Sequence, residues 1–136
     1  MPVTSDRLQV TSEKHYPNQN GVYGYRKLRV WRVADKLAHE VYRVTKEFPK
    51  SEQFGLVSQL RRAVVSIPTN LAEGQARKGR REFKQFVAMA LGSLAEVEYL
   101  LEFSCAEAHL SGEQYQAIEV SRKEVGRLLW GLYESL

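Results

Sequence analysis

The sequence has almost no cysteine and no long apolar run. Of its 136 residues only Cys105 is a cysteine, which excludes an internal disulfide framework and favours a reducing compartment. No stretch approaches the roughly 18 consecutive apolar residues that a membrane-spanning helix requires, and the N-terminus lacks the apolar segment of a signal peptide. We therefore predict a cytoplasmic protein that has no place in a membrane.

Patterns typical of metal sites, phosphate sites and nucleophilic catalysis are missing as well. A di-metal site in a helical bundle requires Glu-x-x-His pairs, and the sequence contains none. Its three histidines, His15, His39 and His109, also fall in separate segments. Glycine-rich phosphate loops are absent. Cys105 lies among apolar residues, where an inert buried thiol is expected. The sequence thus predicts no metal, no cofactor, no catalytic residue and no enzymatic activity.

What the chain does contain is helical periodicity. Apolar residues make up 43% of the sequence and recur at steps of three and four, whereas no segment alternates as a strand would. The fourth segment begins with a capping box formed by Ser111 and Gln114. Helices are predicted over Val30–Phe48, from Ser51 or from after Gly55 to about Gln75, over Arg80–His109, and from Ser111 to Leu136. Short connections between them predict an all-α, antiparallel up-down four-helix bundle.

The bundle is expected to occupy residues 25–136 and to follow a tail. Residues 1–24 are polar, lack periodicity and contain several turn-forming residues, which predicts a flexible segment. Docking of Tyr16, Tyr23 and Tyr25 on a neighbour is the alternative.

The second helix carries an apolar stripe and a polar stripe side by side. Pro68 interrupts the apolar stripe, and proline inside a helix bends it at a cost of about 3 kcal/mol, so a kinked helix inside the bundle is expected. The polar set is Arg62, Ser66, Asn70 and Glu73, joined by Glu96 of the third helix. An interior arginine needs a partner, and we predict that Arg62 meets Glu73 or Glu96 in a partly buried network. A ligand pocket built from the same residues is the alternative.

The same stretch carries a family resemblance. Residues 59–74 meet the pattern Q-x-R-R-A-x-x-S-I-P-x-N-x-A-E-G, which resembles the signature of small bacterial four-helix-bundle proteins encoded in intervening sequences of large-subunit ribosomal RNA genes. Flanking matches extend the resemblance over residues 25–136: Leu28, Trp31, Phe48, Pro49, Lys50, Ala90, Gly92, Ser93 and Glu96.

The resemblance implies a four-helix bundle and a ring-shaped homo-oligomer, with a pentamer favoured. It further implies kinship with the accessory proteins of diversity-generating retroelements, which work with a reverse transcriptase. It implies no catalytic activity.

The third helix is apolar over much of its circumference. One stripe suits the bundle core, and a second stripe has no obvious place there. A helix that is apolar on two sides is usually buried on both, so we predict a homo-oligomer. The expected interface residues are Phe86, Met89, Gly92, Tyr99 and Phe103. A thicker monomer core is the alternative.

Basic residues are concentrated in two places, although the net charge is only +4. They are Arg26, Lys27, Arg29 and Arg32 near the start of the first helix, and Arg77, Lys78, Arg80, Arg81 and Lys84 between the second and third. Two passes through a bundle return the chain to its starting end, so both clusters are expected on one face. This surface predicts sequence-independent binding of RNA or DNA, with no aromatic stacking platform evident beside it. The alternative is a structural or adaptor ring that recruits a protein such as a reverse transcriptase.

Overall fold

The protein is a bundle of four α-helices. The computed structural model describes Tyr16 and residues 24–136, and within these residues it contains no strand. The helices are α1 (Arg29–Thr45), α2 (Ser58–Ala76), α3 (Arg80–Ala106) and α4 (Gly112–Ser135). Each helix packs on the helices next to it in chain order, and α4 closes the arrangement against α1. The predicted all-α four-helix fold is confirmed.

The core forms where the apolar stripes of the helices meet. Burying one such aliphatic side chain stabilises the fold by roughly 1.5–3 kcal/mol. The largest fully buried side chains are Leu37, Val41, Leu60, Val64, Ile67, Leu71, Val87, Val97, Leu101, Val125 and Leu129. Among the described helices, none combines the length and the apolar composition that crossing a membrane requires.

Two helices end three residues earlier than predicted. Helix α1 ends at Thr45 rather than at Phe48, and the Thr45 hydroxyl donates to the carbonyl of Val41 at 2.7 Å. Helix α3 ends at Ala106 rather than at His109, because Ala108 adopts a left-handed conformation with φ 63°. The His109 N–H then donates to the Ser104 carbonyl at 2.9 Å, as in a helix-terminating Schellman turn. Glycine usually marks such a turn, and its absence hid the end of α3 from the sequence.

The start of α4 agrees with its predicted capping box. The backbone N–H of Gln114 donates to the Ser111 hydroxyl at 3.0 Å. The backbone N–H of Ser111 donates to the Gln114 side chain at 2.9 Å. Two N–H groups that lack a helical partner are thereby satisfied.

Pro68 lies inside α2 and is buried, so the helix loses one backbone hydrogen bond there. Two side chains donate to carbonyls of the same turn. The Thr69 hydroxyl donates to the Val65 carbonyl, and the Asn70 amide donates to the Ser66 carbonyl, both at 2.8 Å. A chain of short 3-10 and π-helical turns over residues 50–57 leads into α2, which begins at Ser58, beyond both predicted starts.

Helices α2 and α3 are in close contact at Gly74. A Cβ atom added there would lie 2.6 Å from the Phe86 Cβ and 3.0 Å from a ring carbon of Phe83. Glycine at this position therefore lets the phenylalanines of α3 pack directly on the backbone of α2. The contact lies one turn before the connector, so it also fixes how the chain turns between the two helices.

We predict that Gly74→Ala destabilises the fold by about 1–3 kcal/mol because the added methyl group overpacks this contact. Gly131→Ala is the matched control, since an added Cβ at Gly131 of α4 meets nothing within 4 Å. Alanine is the better helix former there and is expected to stabilise by about 0.5–1 kcal/mol. Urea unfolding measures both. A stabilising Gly74→Ala would show that the two helices are not held in close contact.

Candidate nucleic-acid interface

The predicted basic clusters lie together at one end of the bundle. The turn Gly24–Lys27 packs on α2, and its Gly24 lies next to the side chain of Gln75. On the other side, the Arg80 guanidinium donates to the carbonyl of Ser135 at the end of α4. The start of α1, the α2–α3 connector and the end of α4 therefore converge. This surface is called the basic end below, and it confirms that two passes return the chain to one side.

Most cations of the basic end keep an uncompensated charge. Among the residues that the structure describes, carboxylates pair with only two of them: Arg29 with Glu124 at 2.6 Å and Arg77 with Glu73 at 3.7 Å. Arg32 donates to the backbone carbonyl of Arg26 at 2.7 Å. Lys27, Lys78 and Arg81 are exposed and pair with no carboxylate in the part of the chain that the structure describes.

Arg26 lies among three aromatic rings. Its guanidinium carbon lies 5.0 Å from the ring centroid of Tyr16, 5.6 Å from that of Tyr25 and 5.3 Å from that of Trp31. Cation–π attraction of this kind places the charge without neutralising it. The sequence did not reveal the arrangement, because Tyr16 comes from the segment that was predicted to be flexible.

Tyr16 is anchored on α1 and so departs from the prediction of a flexible tail. Its hydroxyl donates to Oδ1 of Asp35 at 2.8 Å and lies 3.1 Å from Nε2 of His39. Burial, followed by the hydrogen bond to Asp35, raises the pKa of Tyr16 to about 12. The rest of the predicted tail, residues 1–15 and 17–23, lies outside the described residues.

Asp35 is the most deeply buried acid of this region, with 4% of its surface exposed. Its Oδ2 has no hydrogen-bond partner among the described residues, and His39 lies 3.6 Å from Oδ1. In the part of the chain that is described, no group of three or more His, Cys, Asp or Glu side chains is placed to hold a metal ion. The tyrosine hydroxyl is therefore a main source of hydrogen bonding for this carboxylate.

An aromatic pair also lies beside the second basic cluster, where no stacking platform had been predicted. Nζ of Lys84 lies 4.7 Å from the ring centroid of Tyr133. The Trp130 ring meets the Tyr133 ring edge-on, with centroids 5.7 Å apart and planes at 83°. Trp130 is 54% exposed. The prediction missed this pair because both rings lie almost fifty residues beyond Lys84 in sequence and come close to it only in the folded chain.

The predicted pairing of Arg62 with Glu73 or Glu96 is wrong for the single chain. Arg62 is exposed, and its guanidinium donates to the Ser58 hydroxyl at 3.2 Å. Glu73 pairs with Arg77 of its own helix, and Glu96 accepts from Gln59 at 3.4 Å. The long Arg62 side chain reaches solvent from the edge of the helix and so avoids the cost of burying its charge.

Two other members of the predicted polar set make local contacts. The hydroxyls of Ser66 and Ser93 share a hydrogen bond between α2 and α3, and Asn70 bonds within α2. Arg62 lines an open groove with Phe54 and Tyr42. None of the other four residues lines that groove, and a ligand pocket built from all five stays a prediction.

A buried ion pair lies on α4. Arg122 donates to both carboxylate oxygens of Glu119, at 2.6 and 2.8 Å, and both side chains are buried. The hydrogen bonds to Glu119 raise the pKa of Arg122. The i, i+3 spacing of the two residues was a visible signal, but the same spacing is common on exposed helix faces.

The predicted interface residues divide into two groups. Met89 is 47% exposed, Tyr99 60% and Phe103 42%, and Gly92 is open to solvent. Phe86 is half-buried, because it packs on Gly74 and lies beneath the guanidinium of Arg77. A surface of Met89, Gly92, Tyr99 and Phe103 thus remains uncovered on α3, and it is called the α3 apolar face below.

Comparison with known proteins gives one family and one fold. A family model described as 23S rRNA-intervening sequence protein matches residues 26–131. A crystal structure of a protein of unknown function from the S23 ribosomal protein family of Bacteroides thetaiotaomicron is similar to the chain, with a TM-score of 0.71 and 24% sequence identity. The similarity covers 77% of this chain and 95% of that one. Among curated proteins, none matches the sequence.

Tyr16→Phe is expected to destabilise the fold by about 1–2 kcal/mol, because it removes the hydrogen bond to the buried Asp35 carboxylate. Tyr42→Phe serves as the control. Tyr42 is also on α1 and packs its ring on Arg61, and its hydroxyl makes no hydrogen bond to the described residues. Thermal unfolding followed by circular dichroism compares the variants. Equal effects from both substitutions would mean that Tyr16 does not anchor on α1.

Proposed function

The chain belongs to the 23S rRNA-intervening sequence protein family, and we propose that it is a non-enzymatic, oligomeric cytoplasmic protein that binds RNA or DNA through its basic end. The observation that carries the proposal is the convergence of both basic clusters on one end of the bundle. Among the described residues, carboxylates pair with only Arg29 and Arg77 of these nine cations. Four others lie against rings or donate to backbone carbonyls, namely Arg26, Arg32, Arg80 and Lys84, and Lys27, Lys78 and Arg81 are exposed. Their charge is therefore available to phosphate groups.

Such a surface suits binding without base selection. A concentrated positive potential attracts a phosphate backbone, whatever the sequence, and releases the counterions condensed on it. The exposed Lys27, Lys78 and Arg81 are the cations that a backbone would reach first. Contacts to phosphate groups position a nucleic acid and carry no sequence information by themselves.

A second copy of the chain is the partner that best fits the α3 apolar face. Burial of Tyr99 and Phe103 against another subunit would remove from water the apolar surface that one chain leaves exposed. Gly92, which lies between Met89 and Tyr99 along α3, allows close approach of a backbone. A closed ring, with a pentamer favoured by the family resemblance, would repeat the basic end around its axis and strengthen its field.

An adaptor role is the second candidate. It follows from the resemblance to accessory proteins of diversity-generating retroelements, whose partner is a reverse transcriptase. Phe54, 92% exposed, favours it, since this ring lies in the connection between α1 and α2, at the end of the bundle opposite the basic end. A protein partner would cover Phe54, whereas a nucleic acid on the basic end would leave it exposed.

We expect the double variant Lys78→Ala, Arg81→Ala to bind nucleic acid more weakly than the unmodified protein. The slope of log affinity against log salt concentration should also become less steep, by about 2 for duplex DNA, because two phosphate contacts are lost. Fluorescence anisotropy with labelled duplex DNA and RNA, from about 50 to 200 mM salt, measures this.

The double variant Lys46→Ala, Lys50→Ala is the control for this measurement, since it removes the same charge from the opposite end. Its binding should weaken far less. Equal losses in both variants would contradict a localised site. If the unmodified protein bound neither nucleic acid at about 50 mM salt, the proposal would fail.

Light scattering at micromolar concentration is expected to give a mass several times the 15.6 kDa of one chain. Tyr99→Glu should lower that mass, since it buries a charge in the proposed interface. Val120→Glu should not, although Val120 is also an exposed apolar side chain, 71% exposed, on α4. The mass of a single folded chain for the unmodified protein would contradict the assembly.

A further inference from the structure

We propose that the basic end takes single-stranded nucleic acid and stacks an unpaired base on the ring of Trp130. This inference rests on the proposed function and names the kind of strand that the surface selects. It is carried by three neighbouring side chains: an exposed tryptophan, the tyrosine that orients it and the lysine that lies over the tyrosine.

The Trp130 ring is both exposed and oriented. It belongs to the last two turns of α4, with 54% of its surface open to solvent. Tyr133 meets it edge-on, and Lys84 lies over the Tyr133 ring at 4.7 Å. The contact with the partly buried Tyr133 favours one orientation of the Trp130 ring. The Trp130 side chain therefore loses little conformational freedom when a base stacks on its open face.

Positive charge surrounds this ring. Arg80 bonds to the Ser135 carbonyl and thereby joins the start of α3 to the end of α4. Arg127 is exposed one turn before Trp130. Cations outnumber acids in these turns, with Arg80, Arg81, Lys84 and Arg127 against Glu82 and Glu134. A strand whose phosphates lie on these cations can place a base against Trp130.

The combination selects unpaired strands. In a duplex both faces of a base are covered by its neighbours, so a ring on a protein surface has no base face to meet. In a single strand the bases can splay out and stack on aromatic side chains, which is how sequence-tolerant single-strand binding proteins gain affinity. Phosphate contacts alone would not distinguish the two forms in this way.

Affinity measurements on variants of the full chain test the stacking. Trp130→Ala is expected to weaken binding of uniform oligouridine RNA and oligothymidine DNA by about tenfold while changing duplex binding by less than about twofold. Trp130→Phe keeps a ring and should retain most of the affinity. Val120→Ala, which trims an exposed apolar side chain of the same helix, should bind as the unmodified protein does.

Tryptophan emission gives a second readout. Trp31 and Trp130 are the two tryptophans, so in a Trp31→Phe variant the emission comes from Trp130 alone. Titration with the single strands should quench this emission, and the duplex should leave it nearly unchanged. Comparison of the RNA strand with the DNA strand shows whether the ribose matters to the site.

The outcomes separate the inference from the proposed function. Unchanged single-strand affinity in Trp130→Ala, with binding otherwise intact, would contradict stacking and leave the basic end as a phosphate-binding surface. Absence of any nucleic-acid binding by the unmodified protein would contradict both. A smaller assembly in Trp130→Ala would assign the ring to a subunit contact and would likewise contradict the inference.

Discussion

The close approach of α2 and α3 at Gly74 and the short connector that follows it determine where everything else lies. A three-residue connection, Arg77 to Gly79, leaves the chain no route except back along the helix it has just formed. The start of α1, the connector and the end of α4 must then share one end of the bundle. Cations that are distant in sequence become neighbours for this reason alone, before any side chain takes part.

The positive charge concentrated at this end lowers the stability of the fold at some helix ends and raises it at others. The ends of α2 and α4 present carbonyl groups that favour nearby cations, and the Arg80 contact with Ser135 uses one of them. The starts of α1 and α3 present N–H groups that favour anions, yet α1 has no acid in its first turn and begins at Arg29. The rings around Arg26 and the ring beneath Lys84 hold these charges without cancelling them. A local cost of this kind is typical of surfaces shaped by binding.

The sequence predicted what depends on local pattern. The helices, the α4 capping box and the shared end of the basic clusters follow from periodicity, end signals and counted passes through the bundle. Contacts made only by the fold were missed, among them the Tyr16–Asp35 anchor and the Trp130–Tyr133–Lys84 group. The Arg62 prediction was wrong because a stripe of polar residues at helical spacing does not show whether a long side chain points inward or reaches solvent. Whether a side chain is buried depends on the residues packed around it, and those residues belong to other helices.

Photo-cross-linking of a bound single strand tests the central claim most directly. Oligonucleotides that carry 4-thiouridine are irradiated with the protein, and the cross-linked peptides are identified by mass spectrometry. The cross-links should fall on residues 24–32, 77–84 and 127–135. All three segments meet at one end only in the fold described here. Cross-links concentrated on residues 46–57, at the opposite end, would contradict the account.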